Sequence, residues 1–209
     1  MDKEPPTPPG PPQSGARTPH RVSGVATTRA VALLRGINVG GKNPVLMADL
    51  RAAMEDAGYG DVRTYIQSGN VLFSTDEPAA GLEARVEAVL EARFAVPILV
   101  VIRTERQFRA VVAKAPDGFG QQPDRFHSDA VFLKAPLTAA RAMRVVRLRD
   151  GVDRAWPGTG VVYFERLSAQ RTRSKMNKIV GTPEYRQMTI RNWSTTTTLL
   201  GLLGGDGGG

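Results

Sequence analysis

Hydrophobic positions along the chain fall into short dense runs and longer helical stripes. Residues 30–37, Ala-Val-Ala-Leu-Leu-Arg-Gly-Ile, form a near-continuous apolar run of the kind that predicts a strand buried on both faces. Met47, Leu50 and Met54 then recur at helical spacing, with Asp49 suited to a first turn and Gly58 placed to end the helix. Val62 to Gln67 and Val71 to Ser74 read as two strands joined by a tight turn at Ser68-Gly69-Asn70. A helix over Ala79 to Phe94 turns Leu82, Val86, Leu90 and Phe94 inward and leaves Glu83, Glu87 and Glu91 on a solvated face, and Pro97 to Ile102 closes the unit as a strand. The order β-α-β-β-α-β predicts an α+β unit of ferredoxin-like type.

The pattern continues less regularly. Thr104 and Gln107 have the spacing of a capping box for a helix through about Ala115, and a looser stretch runs from Pro116 to Ser128. Next come a strand at Asp129 to Lys134, a helix capped by Thr138, strands near Val152 to Trp156 and Gly160 to Arg166, and helices near Arg173 to Val180 and Asn192 to Leu203. This order echoes the first unit but offers no last strand and no residue-level repeat. The expected organisation is a ferredoxin-like domain over 29–115 followed by a second, smaller and basic α+β domain over 116–203. Residues 1–28 hold seven of the fifteen prolines and read as a disordered tail, and 204–209 as a flexible glycine-rich end.

Charge sharpens this division. The net charge is +8, and between Arg141 and Arg191 twelve basic residues face four acidic ones, a difference equal to the whole excess. Attraction for a polyanion therefore belongs to the last third. A helix over Arg171 to Val180 would align Arg171, Lys175 and Lys178 on one face against a phosphate backbone. Arg173, Arg191 and Trp193 extend the candidate set, and Trp156, Tyr163, Phe164 and Tyr185 interleave aromatic rings that suit stacking on single strands unless they are core.

Composition removes several chemistries. The 209 residues are 41% hydrophobic, enough for real cores, and contain no cysteine. Disulfides, thiolate nucleophiles and cysteine metal sites are excluded, and a cytoplasmic location is expected. With only His20 and His127, no histidine-centred metal site and no cofactor is expected. His127 reads as a surface residue beside Asp129. The longest aliphatic stretch, Ile98 to Ile102, is far short of the roughly 20 residues of a bilayer span, so no membrane association is expected.

The loop after the first run holds the candidate small-molecule chemistry. Gly36, Gly41 and Lys42 satisfy most of a phosphate-binding loop, but Asn43 stands where Ser or Thr would hold magnesium and Pro44-Val45-Leu46 intervenes before the helix. In the predicted topology this loop and the hairpin 67–70 emerge at one sheet edge. They gather Asn38, Gly40, Gly41, Lys42, Asn43, Gln67, Ser68 and Asn70, neutral hydrogen-bonding groups and one cation. No carboxylate or imidazole is there to move a proton, which suits binding better than catalysis. Ser68 lacks the first glycine of a nucleophile elbow, and the central strands lack the exposed rings of an RNA-recognition module. The expected function is non-enzymatic binding of a polyanion, nucleic acid above all, through 141–191. The alternative is a small-molecule binding protein or enzyme that takes a nucleotide or phosphorylated metabolite at the loops 38–44 and 67–70.

Three stretches, residues 33–43 (Leu-Leu-Arg-Gly-Ile-Asn-Val-Gly-Gly-Lys-Asn), 64–71 (Thr-Tyr-Ile-Gln-Ser-Gly-Asn-Val) and 188–193 (Met-Thr-Ile-Arg-Asn-Trp), make the chain resemble the bacterial domain of unknown function 1697 family over roughly Arg29 to Leu203. The resemblance implies two linked α+β units and brings no reaction, substrate or catalytic residue. It also suggests that Arg191, Asn192 and Trp193 belong with the first loop.

Overall fold

The computed structural model describes residues 27–38 and 44–205. The fold is mixed α+β, with two antiparallel four-stranded sheets. The first comprises β1 (Thr28–Leu34), β2 (Gly60–Tyr65), β3 (Asn70–Thr75) and β4 (Val100–Thr104), in the order β2-β3-β1-β4. Helices α1 (Met47–Asp56) and α2 (Leu82–Phe94) cover one face of it. Alternation along the strands explains why: Ala30, Ala32, Leu34, Val71 and Phe73 point to that face, against Leu50, Met54, Val86 and Leu90.

The other face of the first sheet, through Val31, Leu33, Leu72 and Val101, is equally apolar and meets α3 (Glu105–Ala113) and α5 (Trp193–Gly204). These two helices form a middle layer between the sheets. Phe108 of α3 stacks on Phe132 at 5.5 Å between ring centroids, and Leu199 and Leu203 of α5 complete the same core. The expected capping box is present: Gln107 N donates to Thr104 Oγ1 and Thr104 N to Gln107 Oε1.

The second sheet comprises β5 (Phe126–Leu133), β6 (Asp153–Gly158), β7 (Val161–Leu167) and β8 (Met188–Asn192), in the order β6-β7-β5-β8. The last strand is present after all. Its five residues Met-Thr-Ile-Arg-Asn are too short and polar to stand out in the pattern, and pairing with β5 makes them a strand. Helix α4 (Ala139–Val145), whose N-cap Thr138 accepts from Arg141 N, packs on the outer face with the segment 168–187.

That segment is not the expected α-helix over 173–180. It consists of 3₁₀ turns at Ser168–Arg173, Met176–Ile179 and Glu184–Gln187. Side chains capture the backbone donors an α-helix would use: the buried Asp153 carboxylate accepts from Lys175 N at 2.9 Å, and Ser174 Oγ from Met176 N at 3.2 Å. Met176 and Ile179, three residues apart, anchor it to the core, as a three-residue repeat allows.

The two halves share more than strand order. Leu34 N donates to Gly69 O at 2.8 Å, and Leu133 N to Gly160 O at 3.0 Å; Arg35 N donates to Leu99 O, and Lys134 N to Gln187 O, both at 2.9 Å. Each pair occupies the same place in its half: the end of the first strand, the turn before the third, and the entry to the fourth. The repeat is carried by backbone geometry.

Candidate functional site

The end of β1 and the β2–β3 hairpin come together as the topology predicts. Asn38, at φ 54°, mimics a strand with its amide: Oδ1 accepts from Val45 N at 2.8 Å, and Nδ2 donates to Val45 O at 2.8 Å and Gln67 O at 3.1 Å. It closes the base of the loop and ties it to the hairpin. Gly40, Gly41, Lys42 and Asn43 lie outside the described residues. Within the hairpin, Asn70 Nδ2 donates to Tyr65 O and Ser68 Oγ. Gly69 has φ 76°, and a Cβ there would sit 2.8 Å from Leu34 Cβ, so only glycine lets the turn rest on the strand end.

Arg191 of β8 supports the hairpin from beneath. Its Nη2 donates to Leu34 O at 2.8 Å and to Ser68 O and Gly69 O at 3.1 Å; Nη1 donates to Thr189 Oγ1 and Ile190 O; Nε donates to Asn70 Oδ1. The side chain is a satisfied cation without a carboxylate among its hydrogen-bond partners. At 7% exposure it faces the interior, and burial lowers its pKa to about 10. Arg191 is thus joined to the first loop and hairpin, whereas its neighbours serve α5. Asn192 caps the helix, accepting from Thr195 N at 2.7 Å, and Trp193 packs edge-on against Phe119 at 4.9 Å.

Arg103 is the counterpart of Arg191 in the first half. Each directly precedes a helix N-cap, and each donates from Nη1 to the carbonyl of the preceding isoleucine. Arg103 Nη2 then reaches Leu133 O and Gly160 O, the equivalents of Leu34 O and Gly69 O. The triplets Ile102-Arg103-Thr104 and Ile190-Arg191-Asn192 were the signal in the sequence for both arginines.

Three basic residues of the last third are held in ion pairs. Arg141 pairs with Glu184 at 3.6 Å, Arg154 with Glu165, and Arg166 with the buried Asp129 at 3.2 Å. Burial pushes the Asp129 carboxyl up, and the charges of Arg166 and His127 pull it back; His127 Nε2 lies 3.1 Å from Asp129 Oδ1. By contrast Arg171, Arg173, Lys175, Lys178 and Arg186, all on the 3₁₀ segment, form no ion pair among the described residues. Arg171, Lys175 and Lys178 do not form the helical stripe expected of them, since the helix is absent. The aromatic residues are mostly core: Tyr163 and Phe164 are buried, and Trp156 and Trp193 gather around Phe119. Tyr185 packs half-buried against the outer-face core, with the Arg35 guanidinium 4.5 Å over its ring.

Beneath the basic segment lies a cavity of about 320 Å³ whose lining includes Arg166, Arg171, Ser174, Asn177, Tyr185 and Ile190. Among the described residues no cluster of three or more His, Asp or Glu side chains could hold a metal ion, and no helix is long and apolar enough to cross a membrane.

Comparison with known proteins gives kinship without an activity. Residues 27–163 match the family described as "Protein of unknown function (DUF1697)", so two of the three motif stretches fall inside the match and 188–193 lies beyond it. No functionally curated protein matches the chain. A solved structure of a conserved bacterial protein from Streptococcus pneumoniae is similar, with 28% sequence identity, a TM-score of 0.73, and coverage of 85% of this chain and 99% of that one.

Proposed function

The chain belongs to the DUF1697 family of proteins of unknown function, and we propose that it is a non-enzymatic protein that binds a polyanion, nucleic acid, through the basic segment of its second half. The observation that carries this is the group of five cations, Arg171, Arg173, Lys175, Lys178 and Arg186, without ion-pair partners among the described residues, on a segment whose sole acid, Glu184, is held by Arg141. Surface charges without partners are free to neutralise phosphates and release counterions. Arg191 contributes by fixing β8, the strand that the basic segment leads into, and Trp193 by fixing α5 in the middle layer. The same reading places the protein in the cytoplasm, treats residues 29–115 as a ferredoxin-like domain, for which the order β2-β3-β1-β4 speaks, and treats 116–203 as a second domain.

Titration of labelled single- and double-stranded oligonucleotides at two salt concentrations tests the proposal. Binding at low salt should weaken steeply with added salt, with a log–log slope of about −0.9 per phosphate neutralised on duplex. Arg173→Glu and Lys178→Glu should each lower that slope by about one. Absence of binding at low salt, or binding without a salt slope, overturns it.

A second reading places a nucleotide or phosphorylated metabolite at the loops 38–44 and 67–70. Arg191 favours it, since it sets a positive charge beneath the hairpin with neutral acceptors alone. Against it, Asn38 and Asn70 already spend their amides inside the protein. Thermal-shift screening with nucleotides separates the two, because this reading requires a stabilisation that Lys42→Ala abolishes.

A further inference from the structure

The free edges of β4 and β8 are equivalent, and they are treated differently. Lys134 N donates to Gln187 O, which makes that pair a hydrogen-bonded one; with Leu133 opposite Met188 and Val131 opposite Ile190, alternation turns the N–H groups of Met188 and Ile190 away from β5. Arg35 N to Leu99 O sets the same phase in the first sheet, so Val100 and Ile102 point their N–H groups outward. There α2 supplies the acceptors: Glu87 Oε1 takes Val100 N–H at 2.8 Å and Glu83 Oε1 takes Ile102 N–H at 2.9 Å. In the second sheet Met188 N–H is taken by Tyr185 O, but Ile190 N–H has no acceptor among the described residues.

Ile190 borders the cavity of about 320 Å³, whose charged lining consists of Arg166 and Arg171. The Arg166 side chain is 12% exposed, binds Asp129 through Nη2, and keeps its buried Nε without a partner. Arg171 lines the same space with no ion pair. Asp129, and Asp153 opposite Arg166 across the β6–β7 pair, lie outside the lining, which itself carries two guanidinium groups and no carboxylate. We propose that this cavity is a receptor for a single oxyanion, the phosphate group of a small molecule, which takes from Ile190 N–H the hydrogen bond that Glu83 takes from Ile102 in the first half, with Arg166 and Arg171 neutralising its charge. Two forked cations around one backbone donor suit the several oxygens of a phosphate better than the two of a carboxylate. The cavity shares Arg171 with the polyanion reading, but Arg166 and Ile190 belong to the cavity alone.

Following the Ile190 amide by ¹H–¹⁵N spectroscopy during titration with inorganic phosphate, in about 0.3 M salt to suppress diffuse attraction, tests this directly. Ile190 should shift saturably, and Arg171→Ala should weaken binding at least tenfold while Arg173→Ala, which removes the same charge outside the cavity, leaves it unchanged. An Ile190 amide unmoved by excess phosphate overturns the proposal, as does an equal loss in both variants. Acetate binding as tightly as phosphate overturns the assignment to phosphate. Loss of oligonucleotide binding alone, with the Ile190 shift intact, strikes only the polyanion reading.

Discussion

The two halves of the molecule use one plan and differ most in two places. Between the first strand and the first helix, the first half spends residues 35–46 where the second spends 134–138. Between the third and fourth strands, the first half builds the regular helix α2, where the second lays down the basic 3₁₀ segment 168–187. These departures are neighbours, for Arg35 at the start of one rests on Tyr185 of the other. A repeat conserves what a sheet needs in order to pack. The positions where a repeat is broken are released from that duty, and here both gather at the same end of β8.

The largest test of this comparison concerns whether the halves are separable. Phe108→Ala empties the middle layer that both sheets share and should cost about 3–5 kcal/mol. Chemical unfolding should show one transition displaced as a whole; two transitions, with only one moved, would show the halves to be independent. Next, the two arginines can be set against each other. Arg191→Ala strips Leu34, Ser68 and Gly69 of a shared donor and should cost about 3 kcal/mol, whereas Arg103→Ala, whose side chain is 13% exposed and near Glu83, should cost about 2 kcal/mol by the same measurement.

The equivalent glycines give a smaller and sharper contrast. Gly69→Ala meets Leu34 and Ile37 at under 3 Å in a left-handed conformation and should cost about 2–4 kcal/mol. Gly160→Ala, also left-handed, meets only the guanidinium end of Arg103 at 3.0 Å and should cost about 1–2 kcal/mol, since that end can move. Equal losses would mean the two turns are not used alike. Smallest of all, Arg173→Glu should leave stability within about 0.5 kcal/mol while flattening the salt dependence of oligonucleotide binding.

Much of the first half was legible because its elements obey local rules. Leu50 and Met54 are a stripe and Thr104 with Gln107 is a cap, each where the pattern placed it, and the turn expected at Ser68-Gly69-Asn70 runs over 66–69, with Asn70 opening β3. The second half misled where local and tertiary forces disagree. Arg171, Lys175 and Lys178 have helical spacing, but Asp153 and Ser174 bind the intervening backbone and the helix does not form. Glu83 and Glu87 looked solvated because a sequence does not show that a strand edge faces them. Arg191 was marked by the 188–193 stretch but as a polyanion contact as well, whereas Arg103 was hidden by the general rule that arginine lies outside, and only the recurrence of Ile-Arg before a capping residue marked it. The proximity of Asn38 to Gln67 followed from strand direction alone, without any motif.

The crossed arginines carry one more consequence. Arg103 reaches from the first half to Leu133 and Gly160, and Arg191 reaches back to Leu34 and Gly69, so residue and target exchange places across the molecule. That reciprocity is the defining mark of an isologous interface, in which two copies of one chain meet about a two-fold axis and a single side chain makes both contacts. The two halves thus meet as the subunits of such a dimer do, and either half cut free would expose an arginine whose acceptors had been left on the other.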